Sequence, residues 1–161
     1  MPTFKSKTLF AISAFSLISL WILSVYIYSV LPQTIPIHFD AMGHANNYGD
    51  KITLFVLPVL ASGLFFLFSY MIKNPTKANY PVAITDQNRE WQYGQSIALM
   101  QILRMNILIV FLMIEGYTYL SASQHNSRIG ILLLPIILIL ILLPTAYYLY
   151  RMLMGPFQKN N

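Results

Sequence analysis

The sequence predicts an all-α polytopic membrane protein, four transmembrane helices with an ordered extracytoplasmic loop between the first two, and three observations carry that expectation. Hydrophobic residues fill 57% of the 161 positions and charged residues only 9%, too few to clothe a soluble domain of this size in water-binding groups. Four apolar stretches, at about 8–30, 52–72, 97–120 and 129–150, reach the roughly 20 residues a helix needs to cross a bilayer. Between the first two lies 31–51, LPQTIPIHFDAMGHANNYGDK, which holds two prolines, two histidines, two aspartates and two glycines in 21 residues. We read the whole of 1–161 as one membrane domain.

The first span follows Lys5 and Lys7. Its apolar core is longer than the roughly 7 to 15 residues of a signal-peptide core, so it is expected to stay as an anchor. Ser13, Ser16 and Ser19 recur along it at three-residue spacing, and the second span carries the small patch Ala61, Ser62 and Gly63. Small residues let helix backbones approach, so these two spans are expected to pack on each other, with Pro58 kinking the second. The connector 73–96 holds Asn74-Pro75 and Tyr80-Pro81, both turn signals. Thr85 or Asp86 is expected to cap the following helix, with Arg89, Glu90 and Gln92 on a surface turn and Trp91 at headgroup level.

The third span is chemically unlike the others because Gln101, Arg104, Asn106 and Glu115 interrupt it. Polar and ionisable groups at membrane depth face protein or water, since lipid exposure costs them several kcal/mol. Helical spacing puts Gln101, Arg104 and Glu115 on one face and Asn106 nearly opposite. Arg104 and Glu115 lie about 16 Å apart along the axis and cannot pair directly. Arg104 is expected to be a snorkelling or structural arginine, and Glu115 to face the bundle interior near the loop 31–51. The fourth span, with Pro135 and Pro144, carries no ionisable group and suits a lipid-facing helix.

Charge sets the expected orientation. Lys5, Lys7, Lys73, Lys77, Arg89, Arg151 and Lys159 fall on one face, against Lys51 and Arg128 on the other, which places both termini in the cytoplasm and the loop 31–51 outside. The ten basic residues form no run that would track a phosphate backbone, so nucleic acid is excluded as a partner. The lipid bilayer is the solvent. No cysteine is present, which removes disulfides, thiol nucleophiles and thiolate metal sites.

The loop 31–51 is long for a passive connector. Pro32 and Pro36 fix an extended entry. Strand-like alternation then sends His38 and Asp40 to one side and Ile37 and Phe39 to the other, onto the bundle. Gly43 and Gly49 allow turns, and Asn46-Asn47 tolerates left-handed backbone. His38, Asp40 and Glu115 are the polar candidates for facing a ligand. His38, Asp40 and His44 are the weaker candidates for a metal site of two histidines and one carboxylate. Their spacing fits no metal motif, and no cofactor is expected.

Leu31-Pro32, Ile35-Pro36, His38-Phe39, Gly43, Gly49 and Lys51 together resemble the signature of the bacterial membrane family called domain of unknown function 1648, close to LP-x-x-IP-x-HF-x-x-x-G-x-x-x-x-x-G-x-K. In that pattern an acidic residue is common where Asn46 stands, and His44 is not a member. The resemblance implies a multi-pass protein of the bacterial cytoplasmic membrane with the loop as its defining element. An immunity protein against a sporulation-delaying peptide toxin is a longer, distant relative in that group. Phosphate-binding, zincin and nucleophile-elbow motifs are absent from the sequence. Three function classes follow. The first is a binding or regulatory protein, immunity-like or sensor-like, whose outer loop takes a peptide or envelope ligand and which works with a cytoplasmic regulator or as a homo-oligomer. A membrane-embedded metal-dependent enzyme using His38 and Asp40 is the alternative, and a small transporter subunit the second alternative.

Overall fold

The computed structural model describes residues 4–123 and 130–155. Four long helices, α1 (Phe4–Val30), α2 (Val56–Lys73), α3 (Arg89–Ser123) and α4 (Gly130–Leu153), form the bundle. A two-stranded antiparallel hairpin, β1 (Thr34–Phe39) and β2 (Ala45–Asp50), caps one end between α1 and α2. All four helices are long and apolar enough to cross a membrane, and their outer faces are greasy: Phe15, Ile22, Phe66 and Leu143 are 73, 65, 68 and 66% exposed. A continuous apolar surface of that kind is stable only against lipid. The molecule is thus a multi-pass membrane protein of four spans.

The arrangement centres on α3, whose 35 residues give it about 52 Å of length, more than the bilayer core. Helix α1 packs chiefly along α3, and its contact with α2 is narrower than the small-residue pattern implies. Trp21 does reach across to the Ser62 hydroxyl (3.1 Å), and Leu20 meets Ala61, Phe65 and Leu108 in one core cluster. Gly63, however, is exposed and has open space where a Cβ would sit. The second cluster, Ile27, Leu31, Ile35 and Leu54, lies under the hairpin. Pro58 does not kink a helix interior. It is the third residue of α2, where backbone N–H groups have no intrahelical partner in any case, and a short 3-10 helix, Lys51–Phe55, leads into it.

The polar residues of α3 are spent on neighbouring helices. The Gln101 amide donates to the Ser6 hydroxyl of α1 (2.8 Å). Arg104 does not snorkel: it is 4% exposed, lies between the Phe10 and Phe65 rings at 5.1 and 5.2 Å, and donates to the Ser69 hydroxyl at 2.9 Å. Desolvation sharpens attraction between a guanidinium and ring faces, and rings on two other helices reach it where a sequence pattern shows only a long side chain. Asn106 faces the other way and donates to the Leu140 carbonyl of α4 (2.6 Å). That carbonyl is the one left without its helical donor by Pro144, four residues on.

The connector before α3 caps the helix as expected. The Thr85 hydroxyl accepts from the Asn88 backbone N–H and the Asn88 side chain accepts from that of Thr85, at 3.3 and 2.9 Å, a reciprocal cap. Gln92 departs from the surface turn assigned to it. It is fully buried and donates to the Met152 carbonyl at the end of α4 (2.9 Å). Beside it, the Arg151 guanidinium lies 4.7 Å over the Trp91 ring. Arg128, Lys159 and the side chain of Lys5, used in the charge count, lie outside the described residues.

Candidate functional site

The loop 31–51 is a folded hairpin cap. Its entry is set by Leu31, whose N–H still bonds the Ile27 carbonyl of α1 (2.9 Å), and by Pro32, which stops the helix. Helix α1 has no basic residue in its last turn. Lys51 supplies one from the far end of the hairpin: its ammonium donates to the Tyr28 and Leu31 carbonyls (3.0 and 3.2 Å) and lies 4.6 Å over the Tyr28 ring. A cation there meets the negative end of the helix dipole. Next to it, the Asp50 carboxylate accepts from the Ile52 backbone N–H (2.8 Å) and the Gln33 amide (2.7 Å). Those two donors, with help from Lys51, hold the Asp50 carboxyl below its ordinary range.

The strands do not alternate in the simple way expected. Pro36 pairs with Tyr48 and His38 with Asn47, so Ile37 is an extra residue in a bulge. Ile35 enters the core at 1% exposure, while Ile37, expected against the bundle, stays on the flank of Ile35 and Phe39 but is 42% exposed. Its side chain lies over Gly49, where a Cβ would come within 2.8 Å of Ile37 Cδ1. Phe39 does reach the bundle, edge-on to Tyr117 of α3 with centroids 4.8 Å apart. Asn46 and Asn47 sit within β2, and no non-glycine described residue has positive φ.

The turn is built by Asp40 and Gly43. The Asp40 carboxylate accepts from the Met42 and His44 backbone N–H groups (2.9 and 2.8 Å), and its carbonyl accepts from Gly43 N–H (2.9 Å). The His44 N–H is the largest influence holding the Asp40 carboxyl below its usual range, with Met42 N–H and the His44 ring adding to it. Gly43 adopts φ +83°, a conformation glycine takes without steric cost. Its carbonyl accepts the Tyr117 hydroxyl, and its backbone touches that of Gly130 at the start of α4.

The structure thus brings some of the predicted polar residues together and separates others. Asp40 and His44 are adjacent, with His44 Nδ1 3.5 Å from Asp40 Oδ2, whereas His38 turns to the Asn46 side chain. No three His, Asp or Glu side chains converge among the described residues. Glu115 lies beneath the hairpin, fully buried, with neither carboxyl oxygen hydrogen-bonded. The Ser24 hydroxyl faces it but gives its proton to the Leu20 carbonyl. A cleft of about 340 Å³ runs between β1, the start of α2 and α3, and Glu115 forms part of its wall. A second cleft of about 400 Å³ lies on the other flank of the hairpin, against Tyr117 and Ser121. Tyr117, Gly130, Gln33 and Asn46 were not among the sequence candidates. Tyr117 reads in the sequence as one more interfacial aromatic, and nothing local singles out Gly130.

These features define a four-span membrane protein with a structured hairpin cap. Residues 15–61 match the family model described as Domain of unknown function (DUF1648), in agreement with the resemblance carried by 31–51. The match covers the later part of α1, the hairpin and the start of α2, so Glu115, Tyr117 and Gly130 lie outside it. A protein of Archaeoglobus fulgidus described as "Uncharacterized protein" is 33% identical over 60 residues, which are 37% of this chain. That stretch spans 33% of the archaeal protein's length. No solved structure matches.

Proposed function

We propose that the chain is a binding or regulatory protein of the bacterial cytoplasmic membrane, immunity-like or sensor-like, that recognises a peptide or other envelope ligand through the outer face of its hairpin. One observation carries the reading. Ile35, Gly43 and Lys51 are committed to the bundle, while Met42 and Tyr48 stay 58 and 59% exposed, Ile37 is 42% exposed on the flank of Phe39, and His38 is exposed on the hairpin with them. A rigid hairpin offering aromatic and apolar side chains together with an imidazole suits recognition, because little ordering entropy is lost on binding. The metal-enzyme alternative asks Asp40 to leave the turn it builds and His38 to leave Asn46. In a strain whose deletion phenotype the chain complements, His38→Ala should abolish complementation at unchanged membrane abundance, and His44→Ala should do much less. Full complementation by His38→Ala would overturn this reading.

The orientation rests on the asymmetry of lysine and arginine, seven against two, which supports cytoplasmic termini and an external hairpin. Ala41 and Asn79 are both exposed, and the chain has no native cysteine. An impermeant thiol reagent applied to intact cells should label Ala41→Cys and spare Asn79→Cys. The reverse pattern would invert the topology.

A further inference from the structure

We propose that the cleft beneath the hairpin is a binding site for a small lipophilic organic cation, with Glu115 as its counter-charge. Of the exposed hairpin residues only Ile37 borders this cleft; Met42, Tyr48 and His38 lie outside its lining.

The cleft walls come from three elements that meet only in the folded chain: Ile35, Ile37 and Phe39 from β1, Leu54 and Leu57 from the start of α2 and the helix before it, and Glu115 from α3. Its volume of about 340 Å³ falls in the range of small-ligand pockets. Eight of the eleven residues that line the cleft are apolar, so most of what enters must be apolar. Glu115 is a fully buried carboxyl that the Ser24 hydroxyl faces, with neither oxygen accepting a hydrogen bond. No lysine, arginine or histidine pairs with it among the described residues, where the ion pairs formed are His44 with Asp40 and Arg89 with Asp86. Nearly all buried polar groups in folded proteins have partners, and an exception of this kind asks for a bound group.

The chemistry narrows the class of ligand. An anion would meet an acidic wall, and a neutral hydrocarbon would leave both oxygens unsatisfied. A hard metal ion needs about six oxygen ligands, and the cleft offers one carboxyl with the hydroxyls of Thr53 and Thr118. Those hydroxyls already donate to the Asp50 and Ile114 carbonyls. A cation carried on a hydrocarbon body fits both parts: its body replaces lipid contacts with Ile and Leu side chains, its charge faces Glu115, and the Phe39 ring adds a cation–π surface. Water reaches none of Glu115, so a ligand in the cleft meets the carboxyl only when the wall over it gives way.

The test uses the full chain in nanodiscs of zwitterionic lipid, with labelled benzyltriethylammonium as probe and equilibrium dialysis as readout. Saturable binding of one probe per chain is expected. Glu115→Gln should weaken it at least tenfold, and Leu57→Trp, which fills the cleft while keeping the carboxyl, should abolish it. His38→Ala should leave it within twofold of the parent. The uncharged analogue with carbon in place of nitrogen should not compete. No saturable binding by the parent chain, or equal binding by Glu115→Gln and Leu57→Trp, would overturn the proposal. Should Glu115→Gln fail to yield a folded protein, Leu57→Trp decides alone.

Discussion

Gly43→Ala will unseat the hairpin from the bundle. An alanine at φ +83° costs about 1–2 kcal/mol in the left-handed region. Its Cβ would also lie 2.3 Å from the Cα and carbonyl carbon of Gly130. Both atoms are backbone, so no rotamer change relieves the overlap, and either the turn or the first residues of α4 must shift. That shift breaks the hydrogen bond from the Tyr117 hydroxyl to the Gly43 carbonyl, worth about another 1 kcal/mol. The expected loss is about 3 kcal/mol in all, seen as a lower thermal midpoint in detergent and as new protease cleavage near Ala41. Gly49→Ala is the control. Its Cβ meets the end of the Ile37 side chain at 2.8 Å, an exposed group free to rotate, so a loss under about 1 kcal/mol is expected. Equal losses from the two variants would mean that the turn does not rest against α4.

Asn106→Leu will destabilise the bundle, and Pro144→Ala will rescue it. Pro144 has no N–H to give the Leu140 carbonyl, and Asn106 of α3 fills that vacancy at 2.6 Å. Leucine there leaves a carbonyl without a donor inside an apolar bundle, a loss of about 1–3 kcal/mol. Alanine at 144 restores the donor within α4. In the double variant the side-chain amide is therefore no longer needed, and the two substitutions should show a coupling of at least about 1 kcal/mol in a double-mutant cycle. Strictly additive losses would show that the Asn106 amide and the Leu140 carbonyl do not depend on Pro144.

What the sequence revealed and what it hid divide along the range of the interactions. The four spans were legible because length and hydropathy are local, and the order of 31–51 was legible from the density of prolines and glycines. The opposed faces of Gln101 and Asn106 also followed from helical period alone. Ile37 was placed on the side of Phe39, where it does border the cleft against α2 and α3, but its 42% exposure was not legible, because a bulge inserts one residue without a local mark. Arg104 was left between snorkelling and a structural role because the rings that hold it belong to α1 and α2. Gln92 was assigned to the surface for want of any local sign that Met152, 60 positions on, would accept its hydrogen bond. The under-surface of the hairpin was hidden for the same reason: Tyr117 is 74 residues from Gly43. Sequence reasoning found Glu115 by its cost in lipid, but the cleft beside it exists only once β1, α2 and α3 have met.

The backbone contact between Gly43 and Gly130 has a consequence for biosynthesis. Ribosomes make α4 after the hairpin and α3, so for a time during synthesis the hairpin turn can have Tyr117 beside it but not Gly130. The cap reaches its final posture only after the fourth helix has left the translocon and settled along α3, where Gln92 and Asn106 engage its far end and its middle. The exposed face of the hairpin is therefore presented in finished form only by chains whose fourth span has inserted. The cap made between the first two spans is completed by the fourth.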